Sequence, residues 1–178
     1  NRSIYMESCV DGDISNNVIW GSALSTDGYG VSVGAASNGL SVHHNAISYC
    51  RHTLVGGHSS SAGFYGAPMY CKVESNILTG GLKGVGTGVV DFHESNAWGI
   101  EYNSNIITGT EDTSQSGIYV GAVQWSAKNN TINVQGPAIT NRGNYVKFVT
   151  LTNNVVLGKY GVSLTSTAME SLTIDGLD

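Results

Sequence analysis

The stretch CKVESNILTG, residues 71–80, and its counterpart IEYNSNIITG, residues 100–109, decide how this chain is read. Each places an apolar residue three positions before an Asn (Val73, Tyr102) and another two positions after it (Leu78, Ile107). The same arrangement occurs in DISNNVIWG (13–21), LSVHHNAIS (40–48), WSAKNNTIN (125–133) and VTLTNNVVLG (149–158). The aligned residues are Asn17, Asn45, Asn76, Asn105, Asn130 and Asn154, separated by 28, 31, 29, 25 and 24 positions. SLTIDGL, at 171–177, continues the register at Leu172 and Ile174 without the Asn. A period of this length marks a stacked repeat.

Each block has a second half with its own period-2 signature: GVSV at 30–33, TLV at 53–55, GVVDF at 88–92, GIYV at 117–120, AIT at 138–140 and GVSL at 161–164. Two short strands per repeat, separated by an Asn corner and a Gly-rich loop, describe one coil of a parallel β-helix, with coils stacked about 4.8 Å apart. Asn suits the corner because it tolerates left-handed backbone, and its stacked amides can bond to the coils above and below. A leucine-rich repeat also fits VTLTNNVV, but it needs a helical segment after each Asn. The Gly, Ser and β-branched residues found there disfavour one. The expectation is an all-β, right-handed, single-stranded parallel β-helix of six to seven coils with an Asn ladder, one domain over 1–178. Its open coil ends suggest a segment of a longer chain or an oligomer, a trimer above all.

Composition narrows the function. The 178 residues include 24 Gly and only 2 Pro, and they carry a net charge of −5. An acidic chain is a poor nucleic-acid partner, and no apolar run approaches the ~20 residues of a membrane span. Cys9, Cys50 and Cys71 lack metal-ligand spacing and read as buried free thiols, with a Cys50–Cys71 disulfide as the alternative. Asp11 and Asp13 in DGD read as a turn, with calcium as the alternative; no other cofactor is expected. His43 and His44 flank a ladder Asn as surface or corner residues, Trp125 has core phase, and GGLKGVGTG at 80–88 is a loop without the phosphate-binding pattern.

Only 12% of residues are charged, yet Asp91, His93 and Glu94 fall within four positions of VVDFHES, residues 89–95. Alternation turns Val90 and Phe92 inward and Asp91 and His93 outward. Tyr119 should lie one coil away, and YCRHTLVGGH, residues 49–58, brings Arg51, His52 and His58 from the coil before. The strand there is expected to begin at Thr53, leaving Arg51 and His52 in the corner.

CRHTLVGG (50–57), followed one coil later by VDFHES (90–95), resembles right-handed β-helix proteins of the pectate-lyase-like superfamily, which occur in bacteriophage tail spikes and secreted bacterial proteins. DFHE (91–94) is similar to the Asp-Pro-His-Glu motif of mannuronan C5-epimerases, with Phe92 in place of Pro. The resemblance implies Asp91 and His93 as active-site residues, with Glu94, Arg51 and His52 as companions, and a location in a virion tail or outside the cell.

The chemistry that suits these groups is elimination or epimerisation of a uronic acid. Arg51 would clamp the substrate carboxylate, His93 or His52 would take the C5 proton, Tyr119 would donate one, and Asp91 would orient a histidine. Asp91 and Glu94 lie roughly 10 Å apart along a strand and on opposite faces, so they are not by themselves a glycosidase pair. A hydrolase would need Asp27, Glu101, Glu111 or Asp112. His58, Trp20 and Glu101 are the expected substrate-binding residues. The competing readings are a glycoside hydrolase and a non-catalytic, structural or glycan-binding β-helix.

Overall fold

The computed structural model describes residues 2–21, 28–34, 36–57, 67–80, 88–92, 97–110, 113–143 and 145–178. Apolar residues at alternate positions, flanked by residues that accept left-handed backbone, leave short strands as the way to bury each block. Stacking the blocks then pairs every backbone row. The result is an all-β parallel solenoid of about six turns. No helix occurs among the described residues, and strands follow each Asn where a leucine-rich repeat would need a helix.

Each of the first four coils has three strands rather than the two expected. The strands before the Asn residues form a seven-stranded sheet, running from Asp13–Ser15 through Ser41–His43, Lys72–Glu74, Trp98–Asn103, Gln124–Lys128 and Phe148–Thr152 to Ser171–Asp175. After the Asn comes a short strand, such as Ile77–Gly80, and then a second, such as Gly88–Phe92. In the fifth repeat these two halves run together as Thr131–Asn141, which joins both strand sets into one eleven-stranded sheet. The third strand was missed because a bend in an extended chain leaves the period-2 pattern unbroken.

The core is built of columns. Val42, Val73, Tyr102, Ala127 and Leu151 stack before the Asn ladder, Ile47, Leu78, Ile107 and Ile132 after it, and Val31, Leu54, Val90, Ile118 and Ile139 in the third set. Trp125 is buried among them, as its phase predicted. Cys50 and Cys71 are buried free thiols; Cys9 is also free but only half-buried.

The Asn ladder is present, for a reason other than corner strain. The left-handed residue is the one before each ladder Asn: Asn16, His44, Ser75, Ser104, Asn129 and Asn153, with φ between 51° and 57°. That turn leaves the Asn amide pointing into the stack. Asn76 Nδ2 donates to the Val42 carbonyl at 2.8 Å and to Asn105 Oδ1 at 3.0 Å. Asn76 Oδ1 in turn accepts from the backbone N–H and the Nδ2 of Asn45, both at 3.0 Å. Asn45, Asn105 and Asn130 repeat the pattern. An amide has donors and an acceptor, so each Asn satisfies both neighbouring coils at once.

Candidate functional site

Three parallel strands, His52–Gly56, Gly88–Phe92 and Ser116–Val120, position the cluster, and their register sets Asp91 between Val55 and Tyr119. Tyr119 therefore lies one coil from Asp91, as expected. Solvent access differs from the expectation: Asp91 was read as outward and open, but its side chain is 0% exposed. Every residue of Gly88–Phe92 is buried. Alternation assigns the side of a strand; it does not say whether that side is bare.

His52 is likewise not a corner residue. The strand begins at His52, not Thr53, and the ring is completely buried. Tyr29 stacks on it, with ring centroids 5.6 Å apart. His52 Nδ1 lies 2.6 Å from the Gly88 carbonyl oxygen, and a carbonyl only accepts, so Nδ1 carries a hydrogen. Nε2 then faces Asp91 Oδ2 across 3.7 Å. A neutral ring would turn a lone pair on that carboxylate, and a protonated one an N–H.

Arg51 does occupy the corner, half-buried, with its guanidinium 5.8 Å above the Tyr29 ring and Nη1 donating to the Tyr29 hydroxyl at 3.1 Å. The residue that sequence reasoning missed is Arg142. Its Nη1 stands 3.4 Å from Asp91 Oδ1, its guanidinium lies 5.6 Å over the Tyr119 ring, and its side chain is 40% exposed. The turn that carries it is pinned: Arg142 N donates to the Val120 carbonyl at 2.7 Å, and Asn141 Nδ2 donates to the Gly143 carbonyl at 2.7 Å. One signal was available. Arg142 follows the AIT strand directly, so extending the repeat alignment by two residues would have put it beside the Asp91 column.

The result is a chain of charge and rings across five coils: Tyr29, Arg51 with His52, Asp91, Tyr119 and Arg142. Only Arg142 among the described charged members reaches well into solvent. A buried carboxylate held between an imidazole and a guanidinium fixes that guanidinium in place. What this arrangement can do chemically is present a rigid cation, beside a phenol, to an anion arriving from outside.

The remaining expected residues are not joined to it. Glu101 belongs to the other sheet, bonded by Asn103 Nδ2 at 3.2 Å. Trp20 is 72% exposed and pairs with Tyr49, ring centroids 5.5 Å apart, on the strand after the first ladder Asn. His58, His93, Glu94, Asp27, Glu111 and Asp112 lie outside the described residues, as do 81–87 of the Gly-rich loop. His43 and His44 lie at the surface, where His43 Nε2 meets Asp13 Oδ2 at 2.7 Å. That contact helps hold the Asp13 carboxyl below its usual range, after a hydrogen bond from Ser15. Asp11 takes a left-handed turn conformation. Among the described residues no group of three or more His, Cys, Asp or Glu is placed to hold a metal ion. No described helix is long and apolar enough to cross a membrane.

These features define a parallel β-solenoid with a buried Asp–His pair that a partly exposed arginine caps. No family model matches the chain, and neither a curated protein nor a solved structure does.

Proposed function

We propose that this solenoid binds and modifies an acidic polysaccharide, by elimination or epimerisation at a uronic acid. The observation that carries the reading is Arg142: an exposed guanidinium anchored by a fully buried carboxylate and laid over a tyrosine ring. A chain of net charge −5 needs such a local cation to hold an anionic polymer. Arg142 takes the clamping role expected of Arg51, which is engaged with Tyr29, and Asp91 with His52 acts by holding it.

In this reading a base removes the C5 proton, and His93, two residues beyond Asp91, is its candidate. The electron pair forms the C4–C5 double bond, the C4–O bond breaks towards the leaving oxygen, and the Tyr119 hydroxyl protonates that oxygen. Returning the proton to C5 from the opposite face instead gives the epimer.

The test is incubation with alginate, polygalacturonate and hyaluronate. Elimination raises the ultraviolet absorbance of unsaturated uronates, and epimerisation inverts a uronate centre in the NMR spectrum. Arg142→Ala is expected to lower the rate by about 10²-fold or more, Arg142→Lys to restore part of it, and His43→Ala to leave it unchanged. New reducing ends without the absorbance change would make the protein a hydrolase. No change in any polymer would favour a second reading, that the cluster only braces the stack, for which the complete burial of Asp91 and His52 speaks.

The assembly we propose is a homotrimeric spike, in a virion tail or outside the cell. Its support is a column of side chains just after the ladder, Val18, Ala46, Ile77, Ile106, Thr131 and Val155, aligned coil over coil. Val18 is 87% exposed and the column carries no charge, so copies of an acidic chain meet there without repulsion.

A further inference from the structure

The seven-stranded sheet has an outer face of its own, away from the cluster, and a depression is built into it. Register places Trp98, Gln124 and Phe148 in one row and Glu101, Ser126 and Thr150 in the next. At Gly99, with φ +68°, the strand Trp98–Asn103 inserts one residue against Gln124–Lys128 and steps out of line. The short side chains of Ser126 and Thr150 lie between taller ones, Glu101, Gln124, Lys128 and Phe148. Together they enclose a cavity of about 200 Å³.

Two features set this cavity apart from an ordinary polar sheet surface. Phe148 supplies an aromatic wall, and Trp98, two coils away and outside the cavity's lining, braces that ring with centroids 5.9 Å apart at 61°. Beside them the Glu101 carboxylate is oriented by Asn103 Nδ2 at 3.2 Å. An aromatic wall next to a fixed carboxylate, an amide, an ammonium and two hydroxyls matches a pyranose. The C–H face of the sugar lies against a ring, and its hydroxyls donate to the carboxylate or accept from Gln124 and Lys128. The volume suits a single sugar unit. The Glu101 carboxylate and the Lys128 ammonium offset each other, so the wall carries no net charge and suits a neutral ligand.

We propose that this depression is a saccharide subsite for a neutral hexose or N-acetylhexosamine unit, an anchoring site separate from the one that would act on the polymer. It stands on different residues from the functional reading above, so either can hold without the other.

Saturation-transfer NMR and calorimetry with lactose, cellobiose and N,N′-diacetylchitobiose test it. At least one disaccharide is expected to bind with a Kd of roughly 1–10 mM, the range open to a small, shallow site. Glu101→Gln should weaken binding about 10-fold, and Phe148→Ala at least as much, while Tyr160→Ala, at an exposed ring on the other sheet, should not alter it. Arg142→Ala, which removes the cation of the other site, should leave disaccharide binding unchanged, which separates failure of this site from failure of the other. The proposal is overturned if none of the three sugars binds tighter than about 50 mM, or if binding survives Glu101→Gln and Phe148→Ala undiminished.

Discussion

Asn76 shows how much one side chain does in this stack. Its amide makes four hydrogen bonds to the coils on either side, all buried. Leucine keeps the branched shape and is bulkier, so Asn76→Leu removes the bonds without opening a cavity and orphans the Val42 carbonyl and the Asn45 N–H. Chemical denaturation should show a loss of roughly 1–3 kcal/mol, and Asn105→Leu should match it. An unchanged midpoint would mean that the amides are ornamental. Cys71 offers a second residue-scale prediction. Burial pushes its thiol up from 9.0 to about 11, against a smaller opposing pull from the Leu40 backbone. The folded state therefore holds the proton more tightly than the unfolded one. Stability is fully present below pH 9 and is lost as pH rises to 11, by up to about 3 kcal/mol. Cys71→Ala should remove the part of that decline that begins near pH 9. The buried Tyr102 hydroxyl, raised well above 10.0 chiefly by desolvation, adds its share only at higher pH.

Strands here are specified by what stacks on them as much as by their own residues. Phe92 lies directly over Gly56 of the coil before, and a Cβ on Gly56 would fall 2.3 Å from the Phe92 ring. Phe92 cannot move aside freely, because its edge packs against Tyr102 at 5.9 Å. Gly56→Ala should therefore destabilise by roughly 1–3 kcal/mol through overpacking. Combining it with Phe92→Leu should recover part of that loss, a non-additivity that a double-mutant cycle measures directly. The two glycines of LVGG look alike in sequence. Only the coil above distinguishes Gly56, which a ring covers, from Gly57, which turns the chain at φ 74°.

Over the whole molecule the outer surface divides into three kinds of face. One carries the cluster, one the aromatic depression, and one the uncharged column through Ile77 and Ile106. The third is the face on which the proposed assembly would form. Light scattering should find a species larger than the 18.6 kDa chain, and Ile77→Asp with Ile106→Asp should dissociate it by placing like charges in register. A wild-type protein that stays monomeric would remove the support for a spike.

The repeat was legible in the sequence because it is written six times. The apolar–Asn–apolar pattern of Val73, Asn76 and Leu78 recurs in six blocks, and periodicity that local and repeated survives irregular loops, so two strands of each coil, the inward columns and the ladder could be placed from residues alone. The left-handed residue one position earlier was harder to see, since Asn, His and Ser all fill it. The cluster was legible only in part. Asp91 and Tyr119 could be aligned by counting along strands, whereas His52 was assigned to a corner; burial depends on what lies over a strand, and alternation carries no record of that. Arg142 reaches Asp91 from 51 residues away, along a turn pinned by Asn141. Long-range approach of that kind is fixed by the stacking of coils and the direction of one turn, and so it was decided by the tertiary structure.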